Sequence, residues 1–157
     1  MSRSTRATQM LDKLGVAFTT VTYDYDPNAE RIGLQAAQAI GEPPHRVLKT
    51  LMAELDGKPV CVVLPSDREV SMKKLAAALG GKHAEMMKPA AAEKLTGFVV
   101  GGISPFGQKK PVPTVIELSA MDEDYVYMNG GQRGLQIRLS PLAAREALNA
   151  VAAAIVA

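Results

Sequence analysis

Three short stretches carry residue types that could do chemistry. Val99-Val100-Gly101-Gly102-Ile103-Ser104-Pro105-Phe106-Gly107 sets two glycines, a small hydroxyl residue, a proline and a third glycine behind a β-prone run, Phe98-Val99-Val100. Glycine admits positive φ and lets another molecule approach bare backbone. Successive amide N–H groups in such a turn can form a nest for an anion or a developing oxyanion. The same pattern also suits a tight strand-end turn with no ligand. A second glycine turn, Gly130-Gly131-Gln132-Arg133-Gly134, again follows a strand-like run. In the third stretch the alternate positions Val47, Lys49, Leu51, Ala53 and Leu55 seat one lysine among apolar neighbours. Desolvating an ammonium is costly unless an anion or acceptors meet it. Lys49 is therefore either a fixed cation at a pocket wall or a strand-end lysine that snorkels to water.

Other chemistries find little support. A metal site needs clustered ligands, and two histidines (His45, His83) with one cysteine show no ligand-like spacing. The G-x-x-x-x-G-K-[ST] phosphate loop is absent, and no G-x-G-x-x-G opens a helix after a strand. Cys61 lies mid-strand among Val60, Val62 and Val63, the setting of a core thiol. Ser104 has the exposed glycine-turn setting of a nucleophile, yet no histidine is offered to it as a base. The site is short of protein nucleophiles, so it either binds without chemistry or receives a substrate that brings its own reactive group.

The elements that must position these stretches can be read from caps and periodicity. Ser4 or Thr5 caps a first helix with Ala7, Met10, Leu11 and Leu14 on one face, ended by Gly15. Val16 to Tyr25 is β-prone, Asp26-Pro27-Asn28 turns, and a helix from Leu34 to Ile40 stops at Gly41. Val47–Leu55 and Lys58–Leu64 flank Asp56-Gly57, a strong hairpin signal. Ser71 caps a helix from Met72 to Leu79, His83–Met87 can form a strand, and Pro89 opens a helix that ends at Thr96-Gly97. Thr114–Leu118, Tyr125–Met128 and Gln136–Leu139 read as strands, and Ser140-Pro141 starts an Ala-rich C-terminal helix with an apolar far end. Short strands with interspersed helices predict an α+β fold on a curved, mixed sheet.

The 157 residues suffice for one domain, 1–157, with a real core. One cysteine excludes an internal disulfide and fits a reducing compartment. No secretory h-region and no spanning apolar run are present, so a soluble, cytoplasmic protein is expected. Net charge is only +2, but Arg68 to Lys110 holds eight Lys or Arg against three Glu, ahead of the acidic Asp122-Glu123-Asp124. Such a basic middle suits a phosphate-bearing ligand, or equally a set of solvated helix faces.

Taken together, Val47-Leu48-Lys49-Thr50-Leu51, the run from Val100 to Lys110, and Gly130-Gly131-Gln132-Arg133-Gly134-Leu135 occur in an order and at intervals that match a known family. The chain resembles the YbaK-type aminoacyl-tRNA deacylases, relatives of the editing domain inserted in bacterial prolyl-tRNA synthetases. The resemblance implies a mixed sheet folded into a partly open barrel with helices outside, and one pocket for the aminoacyl-adenosine end of a transfer RNA. It places the family's lysine at Lys49, its glycine loop at Gly101, Gly102, Ser104 and Pro105, and its pocket tyrosine at Tyr23. Asn129 stands before the second glycine pair where a serine is usual, Gln136 where an aspartate is usual, and Ile32 where an aromatic is common. Ile32, Leu51 and Ile103 would line a small pocket, and Gly130, Gly131 and Arg133 would also bind substrate.

For the Cys-specific members the implied reaction is substrate-assisted, with the cysteinyl thiol attacking its own ester and expelling the tRNA. Proximity makes that attack effective, and Lys49 could lower the thiol's pKa or hold the terminal phosphate. The Gly101 and Gly102 amides would meet the carbonyl oxygen. The partners expected are the acceptor end of tRNA(Pro) and prolyl-tRNA synthetase, with no cofactor, metal or membrane. Lys73, Lys74, Lys109, Lys110 and Arg133 are candidate RNA contacts. Rival readings are an Ala-tRNA(Pro) deacylase using water, a non-catalytic tRNA- or synthetase-binding module, and a Schiff-base lysine at Lys49.

Overall fold

A capping box starts the first helix, α1 (Arg6–Lys13). The Thr5 side chain accepts from the Thr8 amide at 3.1 Å, and the Thr8 hydroxyl oxygen accepts from the Thr5 amide at 2.9 Å. This computed structural model describes residues 4–29 and 32–157, the side chain of Ile32 lying outside that set. Ala7 and Leu11 are buried as expected, whereas Leu14 is the C-cap and 55% exposed. Strand β1 is confined to Thr19–Thr22, shorter than its β-prone surroundings. Helix α2 (Ile32–Ile40) ends at Gly41, and a 3-10 turn (Pro44–Arg46) leads into the hairpin β2 (Leu48–Leu55) and β3 (Lys58–Pro65). Asp56 and Gly57 both take positive φ, 50° and 82°, as a two-residue turn with the twist of its strands requires.

Ser71 then caps α3 (Met72–Ala78), followed by β4 (Ala84–Met86) and α4 (Pro89–Thr96), which Gly97 closes in the left-handed region. After a long loop come β5 (Thr114–Glu117), a 3-10 segment (Leu118–Asp122), β6 (Val126–Asn129) and β7 (Leu135–Leu139). The chain ends with α5 (Pro141–Leu148) and β8 (Val151–Ala153).

The strands form two sheets, β1-β7-β6 and β4-β2-β3-β5-β8. The first is antiparallel; the second mixes antiparallel β2–β3 and β2–β4 with parallel β3–β5 and β5–β8. A parallel bridge between Val47 and Tyr127 joins the sheets at one corner. The result is an α+β fold on a mixed, curved, partly open sheet. Leu48, Met52, Cys61 and Val63 face one apolar cluster with Phe106, Met128 and Ile137; Ala53, Val62 and Leu64 face a second with Leu75.

Two sequence expectations are corrected. Phe98-Val99-Val100 is not a strand, because local partners consume its amides. Thr96 Oγ1 accepts from Phe98 N, Glu93 accepts from Val100 N, and Gly102 N closes a turn on Val99 O at 2.8 Å. The alanine-rich C-terminus is not one helix either. Asn149 takes the left-handed conformation (φ 51°) and ends α5, after which Val151–Ala153 pairs in parallel with β5.

Candidate functional site

Strand β2 leaves part of its length unpaired. Among the described residues, Leu48–Met52 has β3 on one side and no paired strand on the other. Strand β4 pairs only from Ala53 onward, with Met87 N adding one bond to Met52 O at 3.1 Å, and β6 packs beside β2 with its bridge at Val47–Tyr127. A cavity of about 300 Å³ opens along that free edge. Consecutive residues from Val47 to Met52 line it, because a strand edge offers side chains of both parities. Ala36 of α2, Met86 and Met87, and Pro89 and Ala92 of α4 supply apolar walls. Tyr23, Val100, Gly101, Ile103, Asn129 and Gln136 complete it.

The cavity therefore brings together Lys49, Leu51, Tyr23, Gly101, Ile103, Asn129 and Gln136 from the predicted set. Lys49 is partly buried, its side chain 20% exposed, and its Nζ lies 4.0 Å from Glu69 Oε1. Glu69 is itself 78% exposed, so this is a loose, solvated contact rather than a buried pair. Lys49 is the one charged side chain lining the cavity among the described residues. Burial pushes the Tyr23 phenol above its usual range, with a hydrogen bond from Gln136 acting against the shift.

The two glycine turns pack on each other, and this explains their glycines. A Cβ on Gly102 would lie 2.9 Å from Arg133 N and 3.0 Å from Gln132 C. The close neighbour of this bare backbone is thus the second turn. Gly101 needs its glycine for a different reason, a φ of +88° beside the Tyr25 hydroxyl. Asn129 ties the turns together. Its Nδ2 donates to Gly101 O at 3.1 Å, and its Oδ1 accepts from Gly131 N at 2.7 Å. Arg133 adds a bond from Nε to Val100 O at 2.9 Å and lies over the Tyr25 ring. Thr5 Oγ1 donates to Gly130 O, fixing the second turn to α1.

Several predicted site residues stand behind the cavity. Ser104, expected to be exposed, is fully buried, and its Oγ accepts from Phe106 N at 3.1 Å in a turn of its own. Pro105 is buried beside it. The Gly102 amide is committed to Val99 O, which leaves Gly101 as the glycine of the pair that lines the cavity. Gly130, Gly131 and Arg133 support the wall without lining it. Ile32 begins α2, but its side chain is outside the described residues. Of the RNA candidates, Lys74 is occupied, donating to Val156 O at 2.9 Å.

The sequence reading missed Thr50. Its Oγ1 is buried without a hydrogen-bond partner, as is Gln136 Oε1, and both residues line the cavity. The signal was the open edge of β2, which only the strand pairing reveals. The acidic Asp122-Glu123-Asp124 stretch also has a structural use, since Glu123 accepts from Arg46 Nε at 2.8 Å. Arg46 lies with Glu42, Tyr125 and Tyr127 in a network around the start of the hairpin, and neither tyrosine lines the cavity. No group of three or more His, Cys, Asp or Glu among the described residues is placed to hold a metal ion. No helix is long and apolar enough to cross a membrane among those residues.

Residues 26–147 match the family described as the aminoacyl-tRNA editing domain. The chain is 32% identical over 141 residues to an Enterococcus faecalis protein named "Putative Cys-tRNA(Pro)/Cys-tRNA(Cys) deacylase EbsC", covering 88% of this chain and 85% of that protein. It is 27% identical over 101 residues to the Escherichia coli protein named "Multifunctional Ser/Thr-tRNA deacylase ProXp-y", covering 64% of this chain and 60% of that one. A crystal structure titled as that of "a putative trans-editing enzyme for prolyl tRNA synthetase" matches with a TM-score of 0.82 at 22% identity over 99% of each chain, a likeness of fold. With a family match across most of its length and a relative of this identity and coverage, the chain belongs to the aminoacyl-tRNA editing domain family.

Proposed function

We propose that this protein is a trans-editing aminoacyl-tRNA deacylase that removes cysteine from mischarged Cys-tRNA(Pro), and from Cys-tRNA(Cys). The observation that carries the reading is a single small cavity joining Lys49 to the Gly101 turn, while Cys61 and Ser104 are buried elsewhere. A cavity without a protein thiol or an activated serine suits a substrate that supplies its own nucleophile. The relative named for Cys-tRNA(Pro) and Cys-tRNA(Cys) supports that cargo.

In this reading the terminal ribose ester enters along the open edge of β2. The Lys49 ammonium favours the cysteinyl thiolate, the form that attacks. Sulfur bonds to the ester carbonyl carbon, and the carbon–oxygen bond to ribose breaks. The ribose oxygen takes up the proton the thiol gave and leaves with the tRNA, and the cysteinyl group departs as a cyclic thiolactone that water opens to cysteine. The Gly101 amide meets the carbonyl oxygen as charge builds on it. Such a site is needed because a synthetase pocket shaped for proline separates residues of similar volume by only ~1–3 kcal/mol. The modest net charge of +2 gives weak tRNA selectivity, so identity comes from docking beside prolyl-tRNA synthetase in the cytoplasm.

Purified protein incubated with Cys-tRNA(Pro), Ala-tRNA(Pro) and Pro-tRNA(Pro) tests this. Release of cysteine with Pro-tRNA(Pro) intact is expected. Cys-tRNA(Pro) that survives unchanged overturns the reading, and release of alanine alone transfers the site to a water-using deacylase.

A further inference from the structure

Two cations outside the cavity meet over Gly97, the left-handed C-cap of α4. A Cβ built on Gly97 would lie 2.6 Å from Arg6 Nη1, and 3.0 and 3.1 Å from Lys109 Cγ and Cε. Arg6 at the start of α1 and Lys109 at the end of the glycine-rich loop therefore lie across the same bare backbone. Both are anchored there by main chain. The Lys109 amide donates to Thr96 O at 2.9 Å, and Arg6 packs so closely on Gly107 that a Cβ there would collide with Arg6 O. Both residues are exposed, and neither side chain has an ion-pair or hydrogen-bond partner among the described residues. The acid of the same helix, Glu93, is spent accepting from Val100 N at 2.8 Å.

Like charges gathered on one seat repel. An anion set between them removes that repulsion and gains a charge-assisted bond from each. A guanidinium offers a planar fork to phosphate oxygens, and an ammonium beside it adds a compact charge. We infer that Arg6 and Lys109 clasp a backbone phosphate of the RNA strand whose terminus occupies the cavity. The inference rests on the deacylase reading for the identity of that strand. Helix α4 joins the two places: Ala92 lines the cavity, and Gly97 follows it by a little over one turn, about 7–8 Å along the axis. Between them Arg133 donates to Val100 O at the cavity rim, and Gly131 of the same turn faces Thr5, the neighbour of Arg6. A strand with its last nucleotide in the cavity thus reaches Gly97 within its last few linkages. A clasp of this kind reads backbone and not bases, so it holds an unpaired end of any sequence.

Fluorescence anisotropy with a deacylated hairpin RNA carrying the unpaired 3′ end of tRNA(Pro), at a series of salt concentrations, reads this contact without chemistry. Arg6→Ala and Lys109→Ala are each expected to weaken binding about fivefold or more, and to make the salt slope shallower by about 0.7 per charge removed. Thermal melting confirms that each variant folds. Lys58→Ala, which removes one exposed charge at the hairpin turn, should change neither affinity nor slope. Replacing one phosphate at a time near the 3′ end by a neutral methylphosphonate should find a linkage that weakens the parent. The same replacement should have no further effect on the Arg6→Ala, Lys109→Ala double variant. Losses no larger than that of Lys58→Ala, methylphosphonate effects equal in parent and double variant, or no RNA binding at all overturn the clasp. Cysteine released from Cys-tRNA(Pro) alongside such a result leaves the deacylase reading standing. The expected losses with no cysteine release overturn that reading instead, and the RNA contact stands.

Discussion

Asn129 and Gly101 are joined by one hydrogen bond, from Asn129 Nδ2 to Gly101 O at 3.1 Å, which holds the first glycine turn against the second. The opposite end of the same amide accepts from Gly131 N at 2.7 Å, so a single side chain sets the spacing of both turns. Removing it leaves two backbone groups without their partner. Asn129→Ala is expected to cost about 1–3 kcal/mol in denaturant unfolding. Displacing the Gly101 turn by about 1 Å should cut deacylation by about a hundredfold. An activity loss of this size with Lys49 and Thr50 intact would identify Asn129 as a positioning residue.

Lys49 contributes little to stability. Its contact with the exposed Glu69 is long, and such pairs are worth under about 1 kcal/mol. Lys49→Ala should therefore melt within a few degrees of the parent while losing about a hundredfold or more in kcat/KM, the scale of one electrostatic contact to a reacting centre. Full activity in that variant would remove Lys49 from the reaction.

Glu117 anchors Ile155 and Val156, the residues just after β8. Burial raises its pKa, but amide bonds from Ser119, Ile155 and Val156 outweigh that and hold it below the usual carboxylate range. A depressed carboxylate stabilises the fold above its unfolded pKa, and that contribution is lost as pH falls through the folded value. Glu117→Ala should lose about 1–3 kcal/mol at pH 7. Its stability should also depend less on pH across the acid limb than that of the parent, as urea titrations at successive pH values would show.

Burial pushes the Cys61 thiol up to about 12. A thiol raised in the fold stays protonated there, so its contribution is present below the unfolded pKa and is lost as pH rises towards the folded one. Iodoacetamide at pH 8 should leave native protein unlabelled and label it fully in denaturant. Labelling of the native state at the rate of a free thiol would contradict the packing around Val60 to Val63.

Much of the fold was legible because its punctuation is local. Thr5, Ser71 and Pro89 start helices, Gly41 and Gly97 mark helix ends, and Asp56-Gly57 closes the hairpin, each through chemistry confined to a few neighbouring residues. The last strand was hidden because Ala and Val after Asn149 carry no breaker except Asn149 itself, whose left-handed conformation depends on the cap it makes with Arg145 and Glu146. The run Phe98-Val99-Val100 misled for the reverse reason: β-prone side chains sit on amides already taken by Thr96 and Glu93. In the site, residue types pointed to Lys49 and to two glycine turns, of which Lys49 and Gly101 line the cavity. They could not show that Gly102 meets Gln132 and Arg133, that Ser104 turns inward, or that Thr50 lies on an unpaired strand edge. Those facts belong to contacts between segments far apart in the chain.

If the cavity along β2 holds the aminoacyl end of the substrate, a bound analogue should perturb the residues that line it. Titrating isotope-labelled protein with a non-hydrolysable cysteinyl-adenosine amide, followed by NMR of the backbone amides, tests it most directly. Saturable shifts are expected at Thr50, Gly101, Ile103 and Gln136, with little change around Arg46 and Tyr125. Shifts confined to that second region, or none at saturating ligand, would contradict it.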